Sequence, residues 1–284
     1  MDKFIYLAFA LLALAFFALS PTAWAVVPAP DGGYPGANTA EGTDALFHLT
    51  TGSDNTAIGF NALFSNRSGH DNTATGFYAL INNTTGYGNT AIGVVALDSN
   101  TTGYDNTAIG VQALNNNVVG VNNTATGFAA LGNNTTGGNN TANGFWALRF
   151  NETGFQNTAT GLEALQSNTT GFRNTADGSF ALYNSTGSNN VGLGFNAGLN
   201  LTTGGGNVCI GSNVLGVAGE SNTTRIRNVY TSVASGRAVY VNSDNKIGTL
   251  VSSRRFKDQI KPMDVIRRRL NPMAPSCLDS LQSK

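Results

Sequence analysis

The chain has 284 residues, with 16 Lys and Arg against 16 Asp and Glu, and only 11% of its residues are charged. Two cysteines exclude a disulfide framework, and two histidines leave little material for a metal cluster. The 35 glycines exclude a chain of long helices, since each would cost a helix interior about 1 kcal/mol.

Met1-Asp-Lys3 opens the chain, Phe4 to Leu19 carries no charge, and Ala23-Trp-Ala25 offers an Ala-x-Ala site. This is the layout of a secretory signal peptide, so residues 1–25 are expected to be removed and the mature chain to begin at Val26. The apolar run is short for a membrane span, and no later stretch is suited to one. The expected location is therefore secreted or at the cell surface. Residues 26–37, with Pro28, Pro30 and Pro35, read as a linker or irregular cap.

Residues 38–220 are an array. Asn-Thr-Ala recurs with Asn at 38, 55, 72, 89, 106, 123, 140, 157 and 174, a step of 17 residues, and degenerate copies follow from Asn190 and Asn207. A short fixed period marks units that bury their apolar side against their neighbours. Two glycine columns, beginning at Gly42 and Gly52, turn the chain twice per unit. Thr, Ile, Val and Phe between them fit a pleated surface, so each unit reads as one coil of two short strands and two turns. The expected fold is all-β, a parallel β-solenoid or β-roll of about eleven 17-residue coils over residues 38–216.

Three sets of columns carry the expected packing. The residue after the first glycine (Phe60, Phe77, Val94, Val111, Phe128, Phe145, Leu162, Phe195) and the Leu column (Leu46 to Leu182) are expected to form the interior. The Ala columns, from Ala57 and from Ala62, are small because something approaches them, either the opposite wall of the coil or another chain. The Asn column, stacked at about 4.8 Å, is expected to bond as a ladder.

The period breaks after Glu220. Residues 221–251 read as a β-rich collar, in which Arg225 to Tyr230 and Ala238 to Val241 alternate and a turn at Ser243 to Lys246 leads into Ile247 to Val251. Residues 252–284 form an irregular tail with Pro262, Pro272, Pro275 and Arg267-Arg-Arg269. Charge divides along the same line: eleven acids against three arginines from Val26 to Glu220, then twelve basic residues against four acids. No basic stripe crosses the array, so no nucleic-acid partner is expected.

Asn-Thr-Ala-Ile-Gly, repeated in an exported chain, resembles the head repeats of trimeric autotransporter adhesins (YadA-like). That resemblance implies a left-handed parallel β-roll, three chains packed side by side, and adhesion to a glycan, matrix or cell-surface ligand. Ser252-Ser-Arg-Arg-Phe-Lys257-Asp-Gln-Ile260 resembles the entry to the intramolecular chaperone domain of endosialidase-type tail spikes and tail fibres. It implies a homotrimer and one self-cleavage, with Ser252 as nucleophile and Lys257 as its base. The chaperone domain is expected to be truncated or read out of frame, since 27 residues follow Lys257. A Ser–Lys pair needs an apolar wall to discharge the lysine. Asp258, Gln259 and Lys261 do not supply one, so Lys257 is expected to stay protonated and cleavage to be inefficient.

Other chemistry is sparse. Gly192-Leu-Gly-Phe-Asn-Ala-Gly198 imitates a dinucleotide loop with glycines that belong to the repeat, and no cofactor is expected. His48 and His70 lie in turns without Cys or carboxylate at ligand spacing, so no metal is expected. Cys209 and Cys277 are unpatterned. The acids read as scattered over non-equivalent columns, giving neither a glycosidase pair nor a calcium ladder. Ice or crystal-face binding needs Thr-x-Thr with both hydroxyls on one side, and Asn-Thr-Ala offers one. The leading expectation is a secreted structural or adhesive fibre, ahead of a self-cleaving tail-fibre-like precursor and an ice binder.

Overall fold

The computed structural model describes residues 34–228, together with the backbone of residues 239–241 and 247–249. The chain divides into two units, Met1–Arg227 and Asn228–Lys284. The first is a parallel β-solenoid. Twelve strands of three residues, from β1 (Thr39–Glu41) to β12 (Thr224–Ile226), pair in chain order in one sheet. Thr56 pairs with Thr73 and Ala57 with Ala74, so each coil sits one repeat above the last. At about 4.8 Å per rung the stack is a rod of roughly 50 Å. In the second unit, β13 (Val239–Val241) and β14 (Ile247–Thr249) form an antiparallel pair. Among the described residues no helix is long and apolar enough to cross a membrane.

The sheet forms because Thr-Ala-Ile alternates: in β2 (Thr56–Ile58) Ala57 points inward and is buried while Ile58 is exposed. It reaches six residues past Glu220, since Thr224-Arg-Ile226 is the twelfth rung rather than part of a separate collar. The expectation of two strands per coil is not met, for each coil has a single strand. The second segment curls instead, with Asn61 and Leu63 left-handed at φ 56° and 52°. Its backbone groups are still paired between coils, Leu63 N–H donating to Ala79 O at 3.0 Å and Ser65 N–H to Ile81 O at 2.9 Å.

The interior of each coil is narrow. In the second coil Asn55, Ala57, Ala62, Leu63 and Asn66 fill it, all fully buried, and the pattern repeats upward. The Ala columns are therefore small because the opposite wall of the same coil approaches them. The Leu column is interior as expected. The column after the first glycine is not: Phe60 is 41% exposed, Phe145 43% and Phe195 47%. The turn explains the reversal. Gly110 has φ 130°, a conformation closed to side chains, and a Cβ there would lie 2.6 Å from Gly127 O. The chain reverses at that glycine so tightly that the next side chain emerges outward.

The Asn ladder is present and is doubled. Asn72 donates from both its backbone N–H and its Nδ2 to Asn55 Oδ1, at 3.1 and 3.0 Å, and from Nδ2 to Gly86 O at 2.9 Å. A second ladder starts at Asn66, with Asn83 Nδ2 donating to Asn66 Oδ1 at 2.8 Å and to Gly86 O at 3.0 Å. It ends at Asn168, whose Oδ1 is buried without a hydrogen-bond partner. The reason is the 16-residue step from Asn174 to Asn190, which leaves Ser185 in the ladder position. One coil on, Gly198 replaces the column leucine, and Leu201, at the Asn position, is fully buried in its stead.

The curled segment stores strain at one β-branched residue. Val95 has φ 52°, where Asn61, Asn196 and Asn213 occupy equivalent positions without difficulty. Val95→Asn is expected to raise stability by about 1 kcal/mol, read as a higher midpoint in thermal unfolding followed by circular dichroism. A lower midpoint would show that Val95 is held by its packing.

Candidate functional site

The surface of the rod is a set of columns, because any outward side chain meets its equivalent one coil away. Three of these columns could engage a partner. The first is an apolar corner, with Ile58, Ile92 and Ile109 on the sheet side of the glycine turn and Phe60, Phe77, Val94, Val111, Phe128, Phe145 and Leu162 beyond it, all exposed. Phe60 stacks on Phe77 at 5.4 Å, and Phe128 on Phe145 at 5.2 Å. Trp146 lies beside Phe145 at 4.6 Å and carries the Arg149 guanidinium 4.2 Å above its ring.

The second column flanks the other glycine turn. His70 stacks on Tyr87 at 5.0 Å, Tyr87 on Tyr104 at 4.8 Å, and Phe155 on Phe172 at 5.0 Å, each nearly parallel. Val121 and Gly138 separate the two groups. Because the rings face one another along the rod, their edges are what a partner would meet. Beside them Asp54, Asp71 and Asp105 share one column, which corrects the reading that the acids fall on non-equivalent positions. His70 Nδ1 pairs with Asp71 Oδ2 at 2.8 Å. Gly88 stands between Asp71 and Asp105, with Asp105 Oδ1 2.4 Å from where a Cβ at Gly88 would lie. Among the described residues no group of three or more His, Cys, Asp or Glu is placed to hold a metal ion.

The third column pair is the outer face of the sheet. Its first position is Thr from β1 to β9 (Thr175–Asp177), and its third is Thr at Thr75, Thr126 and Thr160. Alternation puts both on the outside, so three rungs do present Thr-x-Thr with both side chains on one face. The expectation of a single hydroxyl per rung fails for them.

The remaining candidates are structural. Gly192 lies within β10 (Val191–Leu193) in the inward Ala column, and Gly198 takes the Leu position, so both glycines line the interior of the coil. His48 packs edge-on to Phe64 at 4.7 Å. Cys209, in β11 (Val208–Ile210), is fully buried, and burial pushes its thiol pKa up, which makes it unreactive. At the end of the array Arg225 donates to both oxygens of Glu220, at 3.0 and 2.6 Å, and holds that carboxyl below the usual range. Ser252, Lys257 and Cys277 lie outside the described residues, as does the whole of residues 1–25.

Known protein families, curated proteins and solved structures give no match to this chain. The function is read from the columns.

Proposed function

We propose that this protein is an exported structural rod that adheres, through its exposed columns, to a glycan, matrix or cell-surface ligand, and that it works as a homotrimer. The observation that carries the reading is the uninterrupted parallel pairing of twelve strands in chain order, which turns single side chains into ladders on a stiff support. A repetitive solenoid suits a fibre protein, because each coil is held only by its neighbours and length is added without a new core. The signal-peptide pattern of residues 1–25 supports export, and the likeness to adhesin head repeats supports adhesion and the trimer.

Two measurements test it. Secreted material is expected to begin at Val26 in N-terminal sequencing. Purified mature chain is expected to coat at least one surface in a panel of immobilised glycans, matrix proteins and fixed cells. Material that begins at Met1 and stays in the cell would overturn export. Coating of no surface would overturn adhesion.

A further inference from the structure

We propose that the solenoid has a built-in seam between the coils of β8 (Thr158–Thr160) and β9, where residues 174–227 open as one unit while the coils below stay closed. The inference goes beyond the adhesive-rod reading and does not depend on it.

Each coil is held to the next on two sides, and the seam fails on one of them. On the sheet side nothing is missing. Thr158 pairs with Thr175, and Asn174 donates from N–H and Nδ2 to Asn157 Oδ1 at 3.0 and 3.1 Å. On the side of the second glycine turn, every junction from the first coil to the eighth has two or three backbone bonds. Glu152, Thr153 and Gly154 N–H, for example, all donate to Thr169 O, at 2.9, 3.2 and 3.4 Å. One junction later, the N–H groups of Thr169, Thr170 and Gly171 donate to no backbone carbonyl. The second Asn ladder stops at the same place, with Asn168 Oδ1 buried and unpartnered.

The cause is a single missing residue. The coil that starts at Asn174 has 16 residues, and the Asn168-Thr-Thr-Gly171 of the coil below becomes Ser185-Thr-Gly187. The shortened turn brings its carbonyls out of line with the three N–H groups. Ser185 also lacks the Nδ2 that Asn168 Oδ1 would accept from. Beyond the seam the stack is looser again: Thr202, Thr203 and Gly204 N–H donate to no backbone carbonyl, and Gly198 replaces the column leucine.

In a stack where each coil meets only its neighbours, stability is a sum over junctions, and local opening begins at a weak one. One net hydrogen bond changes such an opening equilibrium by roughly twofold to tenfold. Three or four missing together make the seam at least about tenfold easier to open than the junctions below it. Opening frees about 54 residues, with an extended length of roughly 180 Å, for a loss of four rungs or about 20 Å of rod. The seam is an extension device. A rod held at both ends lengthens there before the lower coils give way.

Hydrogen exchange read by mass spectrometry on the full secreted chain tests this. Amides of residues 175–227 are expected to exchange at least tenfold faster than those of residues 56–150, with one step at the seam. A repaired variant carries Ser185→Asn and one threonine inserted after Thr186, which restores Asn-Thr-Thr-Gly. It is expected to slow exchange beyond the seam at least tenfold and to leave residues 56–150 unchanged. Ser185→Asn alone restores only the ladder bond, and is expected to slow that exchange twofold to tenfold. Protection that declines gradually toward residue 227 would mark ordinary fraying of a rod's end and overturn the proposal. A repaired variant that folds and exchanges at the parent's rate would do the same. The step in the parent decides the matter even where the insertion is not accommodated.

Discussion

Leu114→Asp is expected to open the rod at its middle. Leu114 is fully buried between Leu97 and Leu131 of the adjacent coils, and its N–H donates to Ala130 O at 3.0 Å. A carboxylate at that point meets the Leu and Ala side chains of a narrow core, with no cation to pair with. The lost apolar burial contributes about 2 kcal/mol, and the unpaired buried charge adds several more. In a stack held only by neighbour contacts, such a defect separates the coils on either side. Gln112→Asp, two residues earlier, is the control. Gln112 is exposed at φ 60°, a conformation Asp adopts readily, and the change should stay within about 0.5 kcal/mol. Denaturant unfolding followed by circular dichroism reads both. Equal losses would mean that the interior columns are wrongly assigned.

The next largest effect is expected from the first Asn ladder. Asn106 donates from N–H and Nδ2 to Asn89 Oδ1, both at 3.1 Å, and from Nδ2 to Gly120 O at 2.9 Å. Its Oδ1 accepts from the N–H and Nδ2 of Asn123, both at 3.1 Å. Asn106→Ala removes that acceptor. Gly120 O keeps Asn117 Nδ2 and Asn123 Nδ2 keeps Gly137 O, but the buried Asn123 N–H loses its partner. An orphaned donor costs about 1–3 kcal/mol, and with the cavity the loss should reach about 3–5 kcal/mol. Asn116→Ala, at an exposed side chain bonded to Asn133 at 3.3 Å, should change stability by less than about 0.5 kcal/mol. The same unfolding experiment compares them. An Asn106→Ala rod as stable as the parent would reduce the ladder to a by-product of stacking.

The 17-residue period, read from Asn-Thr-Ala and two glycine columns, determined the fold class, the coil length and the parallel pairing. A 17-residue unit with two glycine turns has no room for a helix and its return, so it buries its apolar side by stacking on the next coil. It also determined the interior Leu column and the first Asn ladder, since identical polar groups at one coil spacing bond to each other wherever they are buried. What it did not determine is which way each side chain points around a turn. Phe60 and its equivalents read as core because they are apolar. Only the folded turn at Gly59, with φ 133°, decided that they face outward. The second Asn ladder, the stacked rings from His70 to Tyr104 and the shared column of Asp54, Asp71 and Asp105 were equally present in the sequence. They became visible as ladders only on stacking, because residues 17 apart touch only once the coils are in register. Small residues gave the least direction. Ala57 and Ala62 announce close approach in any packing, and the tertiary structure alone settled that the wall they meet is their own coil, whose interior has room for one leucine, two asparagines and two alanines per turn.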